Sequence, residues 1–342
     1  MPTTIIVGGQ YGSEGKGKLV AYLAHTNRVD VAVRCGGPNA GHSVTYDGGF
    51  EIVRQVPAAV INPRCRLLVA GGALVDPPIL LQEIRHFGLG KPRLGVDGFA
   101  AVISRQHKEH EARLQLRKRV SSTLSGTGAA TASKILREGS LKLAKQIQGI
   151  RKFIVDVSAE VNKAYDDSKN IIIEGTQGFG LSLHHSLQFP FVTSRDTSAS
   201  NFLSEVGLSP RCASQIIMVV RTHPIRVPGH SGPLERETSW GAISTLSGSR
   251  NELNEFTSVT NRLRRVGLFE PEPVKRAVMV NRPTALALQG LDYFNFADRG
   301  KRKYRSLSQK SKRFIADLEK LASVEVRFIF TGPDLLDVIE IG

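Results

Sequence analysis

Along this chain, short apolar runs alternate with stretches whose apolar positions recur every three or four residues. That is the pattern of strands buried on both faces, interleaved with amphipathic helices. Residues 4–7, 29–34, 67–70, 100–103, 171–174, 216–221 and 324–330 read as strands. Helical spacing covers 16–25, 77–87, 106–119, 130–137, 151–166, 197–206 and 308–322. Asp76 followed by Pro77 and Pro78 makes a good helix entry. The alternation predicts an α/β fold class: a large, mostly parallel central sheet flanked by helices. No linker or shift in composition divides it, so a single domain over 1–342 is expected. Gly- and Pro-rich stretches at 36–49, 121–128, 175–180 and 226–232 interrupt strong elements and read as site loops.

Composition changes this picture little. Apolar content of 41% and charged content of 23% are ordinary for a globular enzyme. No apolar run reaches the ~18 residues of a membrane span, and the N-terminus lacks the regions of a signal peptide. Three cysteines (Cys35, Cys65, Cys212), without metal spacing, read as reduced thiols of a cytoplasmic protein. The net charge of +15 points to anionic ligands, nucleic acid or a basic surface. Within 105–119 the charges have mixed sign, which favours a solvated helix with i,i+4 pairs. The basic segment 298–305 carries no nucleic-acid motif and reads as an exposed loop. Nucleic acid and membrane are therefore not expected as partners.

The chemistry gathers in the loops. Gln10-Tyr11-Gly12-Ser13-Glu14-Gly15-Lys16-Gly17-Lys18 follows a strand and opens a helix. Such a turn aims backbone N–H groups and a helix N-terminus at one spot, which suits a phosphate. The strict P-loop pattern is not met, because position 10 is Gln and five residues separate Gly9 from Gly15. A second loop, Gly36-Gly37-Pro38-Asn39-Ala40-Gly41-His42, places a histidine at a strand end, as general acid, phosphate partner or plain loop residue. A third, 121–128, is rich in hydroxyls around Thr123 and is followed by Arg137. A fourth, Glu174-Gly175-Thr176-Gln177-Gly178, offers an amide that both donates and accepts, as a purine edge requires. A fifth, Thr260-Asn261-Arg262-Leu263-Arg264-Arg265, puts three arginines in four residues, a dense receptor for carboxylates.

These motifs, in this order, resemble the adenylosuccinate synthetases over nearly the whole chain. That family reads Q-W-G-D-E-G-K-G-K at the first loop, G-G-x-N-A-G-H at the second and T-x-x-G-x-G at the third. In the family an Arg follows the third motif's Thr by fourteen residues, as Arg137 follows Thr123. The later motifs are E-G-A-Q-G, Y-P-Y-V-T-S (here Phe189 to Ser194) and T-G-R-x-R-R. The resemblance implies the P-loop-like fold of that family and an ATP- or GTP-driven ligase that uses Mg2+. It implies that Lys16, His42, Ser13 and Gln177 stand at the catalytic centre. Asn39, Thr123, Arg137, Thr193, Gln177, Ser13 and Arg262 would bind the substrate nucleotide. Arg137 would do so from a neighbouring subunit, so a homodimer is implied. Val259, Thr260, Asn261, Arg262 and Arg264 would bind L-aspartate. Gly12, Glu14, Gly15, Lys16, Gly17, Gly41, His42 and Arg264 would line the phosphoryl-donor site. Gly290, Asp292, Thr331, Gly332 and Pro333 would surround the donor base. Gly41 would offer its carbonyl to the metal, with Ser13 in the place of a second ligand.

Two departures redirect the substrates. Family members that use GTP carry T-K-L-D where this chain has Gln289-Gly290-Leu291-Asp292. The lysine that would cover the base is absent, which points to ATP or dATP as donor. At position 13 the family's aspartate is general base and magnesium ligand, but here it is Ser13. A serine is no base at neutral pH without a partner. Its smaller side chain leaves room for an amino group at purine position 2, and its hydroxyl can accept from that group. A phage-encoded branch of the family, the PurZ-type succino-2-amino-2′-deoxyadenylate synthases, has the same replacement and uses dGMP. The resemblance thus implies ligation of L-aspartate to dGMP, in the host cytoplasm if phage-encoded, towards 2-aminoadenine DNA. Conventional action on IMP and a catalytically dead nucleotide- or nucleic-acid-binding relative are the alternatives. A water on Ser13, or Glu14, would replace the missing base.

Overall fold

The computed structural model describes residues 3–258 and 260–341. A ten-stranded sheet runs through it. In chain order its strands are β1 (Thr3–Gly8), β2 (Val31–Arg34), β3 (Arg66–Val69), β4 (Leu94–Asp97), β5 (Ile154–Val155), β6 (Ile171–Glu174), β7 (Ala213–Arg221), β8 (Ala285–Gln289), β9 (Val326–Phe330) and β10 (Val338–Glu340). In space the order is β10-β9-β8-β7-β1-β6-β2-β3-β4-β5. Every pairing is parallel except that of β10 with β9. Helices flank the sheet, so the expected α/β architecture holds.

The strands need both faces covered, and their sequences supply it. All six residues of β1 are buried, and Ile5, Ile6 and Val7 are fully so. They join one core cluster with Val33, Leu67, Leu68, Ile173, Val219, Leu286 and Phe328. The edges stay short, at two residues in β5 and three in β10, which limits edge-to-edge pairing. Strand order reverses at β1, with β6 and β2 on one side and β7 to β9 on the other. In open parallel sheets the crevice beyond the strand C-termini at such a point is the ligand site. The loops after β1, β2, β6 and β7 all leave from that edge.

Several elements differ from the sequence-based expectation. Residues 100–103 contribute only Ala101–Val102, paired with Leu74–Val75 outside the main sheet. The 106–119 helix is two pieces, Arg105–Arg113 and Leu116–Val120, because Gln115 turns left-handed at φ 52. The 151–166 helix starts at Val157, where Asp156 accepts from the Ala159 N–H at 2.9 Å. Its expected first turn is 3-10 helix and β5. Strands β4 and β8 went unpredicted, as did the hairpin His42–Tyr46 with Gly49–Val53 and the helices Trp240–Ser247 and Pro271–Asn281. In β8 the sequence Ala-Leu-Ala-Leu favours helix as readily as strand; burial between β7 and β9 decides it.

Candidate active site

A cleft of about 450 Å³ opens over the C-terminal ends of β1, β2 and β6. Twelve of the expected residues line it: Gly12, Ser13, Lys16, Asn39, Gly41, His42, Thr123, Gln177, Thr193, Thr260, Arg262 and Arg264.

The first loop is built around Glu14. Its carboxylate is fully buried and accepts from the Gly12 N–H at 2.8 Å, the Gln10 N–H at 3.2 Å and Lys16 Nζ at 2.5 Å. A Cβ on Gly178 would collide with this carboxylate, so glycine is required there. Glu14 is a keystone with its oxygens taken; the expectation that it could act as proton acceptor is corrected. Gly15, at φ 98, ends the turn, and the helix Lys16–His25 begins with no side chain capping it and no acid in its first turn. Its N-terminus is left open to an anion, with Lys16 beside it. Ser13 is exposed to the cleft and left-handed at φ 56. Gln177, beside Gly12, is left-handed too, at φ 65. Non-glycine residues held this way mark sites where surrounding structure overrides local preference.

His42 packs on this helix, against Gly17. Its Nδ1 meets the buried Glu174 carboxylate, and Arg34 Nη1 lies 2.5 Å from each. The second Glu174 oxygen accepts from the Ala58 N–H at 2.7 Å. Burial pushes His42 down to about 4, helped by Arg34 and opposed by Glu174. Burial pushes Glu174 up, but Arg34 and His42 outweigh it and hold the carboxylate ionised. The imidazole is therefore neutral at neutral pH; a proton on Nδ1 would donate to Glu174 and leave Nε2 for a ligand.

The third loop is partly filled by its own chain. Two of its backbone N–H groups are already taken from within the chain. Glu111, from the helix Arg105–Arg113, takes those of Gly126 and Gly128, each at 2.8 Å. The loop offers hydroxyls instead, with Thr123 Oγ1 2.8 Å from Ser125 Oγ. Arg137 lies beyond the end of the helix Thr127–Ile135, exposed and left-handed at φ 57, and does not line the cleft.

The arginine loop is a tight turn. Arg262 N–H donates to Thr257 Oγ1 at 3.0 Å, and that hydroxyl lies 2.6 Å from Thr260 Oγ1. Asn261 sits at φ 46, the left-handed backbone that asparagine tolerates. Arg262 and Arg264 face the cleft, whereas Arg265 turns away to pair with Glu237 at 2.5 Å, so two guanidiniums form the receptor rather than three. Val259 lies outside the described residues.

The donor-base residues assemble apart from the cleft. Lys18 Nζ donates to the Gly332 carbonyl at 2.5 Å and lies 4.8 Å from the Phe330 ring centre. Burial lowers Lys18 to about 8 and raises the Asp292 carboxyl. Gly290 is left-handed at φ 80, its carbonyl held by the Thr222 hydroxyl at 2.6 Å. Thr331 is buried and Pro333 is exposed.

Sequence reasoning gave no role to Tyr11, Glu111 and Arg226, which line the cleft, or to Arg221, which supports the Ser13 turn. Arg226 is buried, stacks on the Tyr11 ring at 3.9 Å, and is lowered to about 10 by burial. Arg221 donates to the Ser13 carbonyl at 2.8 Å. Two gave a signal: Tyr11 as part of the first glycine loop, and Arg226 as the first residue of a Gly- and Pro-rich stretch.

A divalent metal would meet few protein ligands. The Gly41 carbonyl, 3.4 Å from Ser258 Oγ, and the Ser13 hydroxyl are the oxygens on offer. Among the described residues no cluster of His, Cys, Asp or Glu could hold a metal ion. An oxygen-only donor set of this size fits Mg2+ carried on nucleotide phosphates.

A family model described as adenylosuccinate synthetase matches residues 5–145 and 140–301. The adenylosuccinate synthetase of Thermococcus onnurineus is 40% identical over 345 residues, covering 99% of this chain and 98% of the relative. Among solved structures, the cyanophage S-2L succinoaminodeoxyadenylate synthetase (PurZ), bound to dGMP and dATP as an energy donor, has a TM-score of 0.80 at 26% identity. That match covers 99% of this chain and 95% of the other. The fully ligated adenylosuccinate synthetase from Plasmodium falciparum reaches 0.88 at 19% identity over 100% of both chains, a likeness of fold.

Proposed function

The chain belongs to the adenylosuccinate synthetase family, carbon–nitrogen ligases that join aspartate to a purine nucleotide, and from that premise we propose that its nucleotide substrate is dGMP. Ser13 carries the reading. It replaces a carboxylate at the cleft, and its exposed hydroxyl leaves room for, and can accept from, an amino group on purine position 2. In the first half-reaction the purine N1 proton leaves to a water held by Ser13. The 6-oxygen attacks the γ-phosphorus of the donor, and the bond to the leaving nucleoside diphosphate breaks. In the second half-reaction the amine of L-aspartate forms a bond to C6, and phosphate leaves with the 6-oxygen. The product is succino-2-amino-2′-deoxyadenylate, a precursor for 2-aminoadenine DNA. Lys16 and His42 bind the transferring phosphoryl group, and their positioning and charge lower its barrier. Gln177 takes the purine edge. Asn39, Thr123 and Thr193 hold the 5′-phosphate, and Thr260, Arg262 and Arg264 the aspartate. Mg2+ on the donor phosphates would neutralise their charge next to Gly41.

ATP or dATP is the proposed donor, since Gly290 removes the lysine that covers guanine in GTP-using relatives. These substrates are cytoplasmic, in the host if the chain is phage-encoded. A homodimer completes the site: Arg137 sits beside exposed Ile135, at 70%, and Leu136, at 68%, and does not reach its own cleft. A second reading, conventional action on IMP, is favoured by the name of the 40% identical Thermococcus relative.

Mass spectrometry of products separates the readings. Purified protein is given Mg2+, ATP and L-aspartate with either dGMP or IMP. A succinylated product from dGMP supports the proposal. Product from IMP alone overturns it and leaves the conventional enzyme, and no product from either favours a binding protein.

A further inference from the structure

We propose that Arg221, clasped by Glu255, is a positioning residue that ties the turn carrying Ser13 to the arginine loop, so that nucleotide choice and aspartate binding are coupled. This rests on the reading that Ser13 faces the purine and that Arg262 and Arg264 face aspartate.

The whole turn rests on one residue. At its start, Gln10 grips the peptide of residue 221 from both sides: Gln10 Oε1 accepts from the Arg221 N–H at 2.8 Å, and Gln10 Nε2 donates to the Arg221 carbonyl at 3.2 Å. At its far end, Arg221 Nη1 donates to the Ser13 carbonyl at 2.8 Å. A left-handed serine is an uphill conformation. Fixing its carbonyl holds the backbone from which its side chain leaves at the edge of the cleft.

The other side of the guanidinium reaches the arginine loop. Nη2 pairs with Glu255 Oε1, and Nη1 is 3.3 Å from Glu255 Oε2. Glu255 in turn accepts, through its carbonyl, the Arg264 N–H at 2.9 Å, next to the Phe256–Leu263 bridge that closes the loop. Arg221 is 4% exposed, and its Nε donates to the His223 carbonyl at 3.1 Å. So buried a cation needs its partner; without Glu255 it would shift or hydrate, and both attachments would loosen together.

Glu255→Gln keeps the shape and removes the charge, and at 22% exposure its side chain tolerates the change. Arg221→Lys is the second variant, since one ammonium cannot serve both Ser13 and Glu255. Glu237→Gln, on the Arg265 pair, is the control. Steady-state kinetics with dGMP and with IMP, and the melting temperature, are measured for each. Both variants should raise the KM for L-aspartate about tenfold and, together with it, shift the dGMP-to-IMP preference by a similar factor. The control should do neither. A rise in aspartate KM with unchanged nucleotide preference would overturn the tether. So would a lower melting temperature with both parameters unchanged. If the wild type used IMP alone, the proposed substrate would fall by itself. The tether would then still stand or fall on a joint rise in the KM values for aspartate and IMP.

Discussion

Two helices begin at the cleft, and their N-termini have opposite fates. Lys16–His25 starts at left-handed Gly15 with no side-chain cap, and the nearest carboxylate, Glu14, is turned under the loop to hold Gln10, Gly12 and Lys16. Thr127–Ile135 starts at left-handed Gly126, and Glu111 reaches over from another helix to take its first N–H groups. Both turns are glycine-rich and look alike as phosphate cradles in sequence. Packing leaves one open and fills the other with a carboxylate from its own chain. A helix N-terminus becomes an anion site only where nothing internal satisfies it.

The sharpest break falls on the open terminus. On the proposed role of Lys16 in binding the transferring phosphoryl group, Lys16→Met should lower kcat by about three orders of magnitude, since no other cation of the first loop lines the cleft. Rapid-quench measurement of nucleoside diphosphate release checks this.

Next comes the acid stability of the ligand-free protein. His42, beside the open terminus, is held at about 4, against an ordinary 6.5 that the unfolded chain recovers. Between these values the unfolded state binds the extra proton. The neutral histidine's contribution is therefore present above pH 6.5 and is lost as pH falls to about 4, a swing of about 3 kcal/mol. Urea midpoints across that range should drop on acidification, and less so in His42→Asn.

At the filled terminus, Glu111→Ala should cost about 1–2 kcal/mol, the usual effect of removing a partner from N–H groups that water can reach in part. It should also create what the first helix has by nature, so inorganic phosphate should restore part of the lost melting temperature. Smallest of all, Arg105→Ala removes an exposed i,i+4 pair with Glu109 at 2.6 Å and should change stability by less than about 0.5 kcal/mol.

What was legible in the sequence was local. The strand–glycine turn–helix unit needs only neighbours, and the helix Lys16–His25 and strand Ile171–Glu174 fall where expected. Asn261 stands where the family motif T-G-R-x-R-R has glycine, and it takes the left-handed turn a glycine there would take. What could not be read depends on partners distant in the chain. Glu111 filling the third loop, Arg265 turning to Glu237 and Arg221 holding Ser13 each join segments that only the fold brings together. β8 shows the same limit within the fold, since its Ala-Leu alternation becomes a strand only between β7 and β9.

The central claim is that Ser13 sets the purine. It is tested most directly by the ratio of kcat/KM for dGMP to that for IMP, in the wild type and in Ser13→Asp. The wild type should favour dGMP by at least about tenfold, one hydrogen-bonded group's worth of discrimination. Ser13→Asp should lose that preference and turn towards IMP. An unchanged ratio, or a wild type that already prefers IMP, would contradict the account.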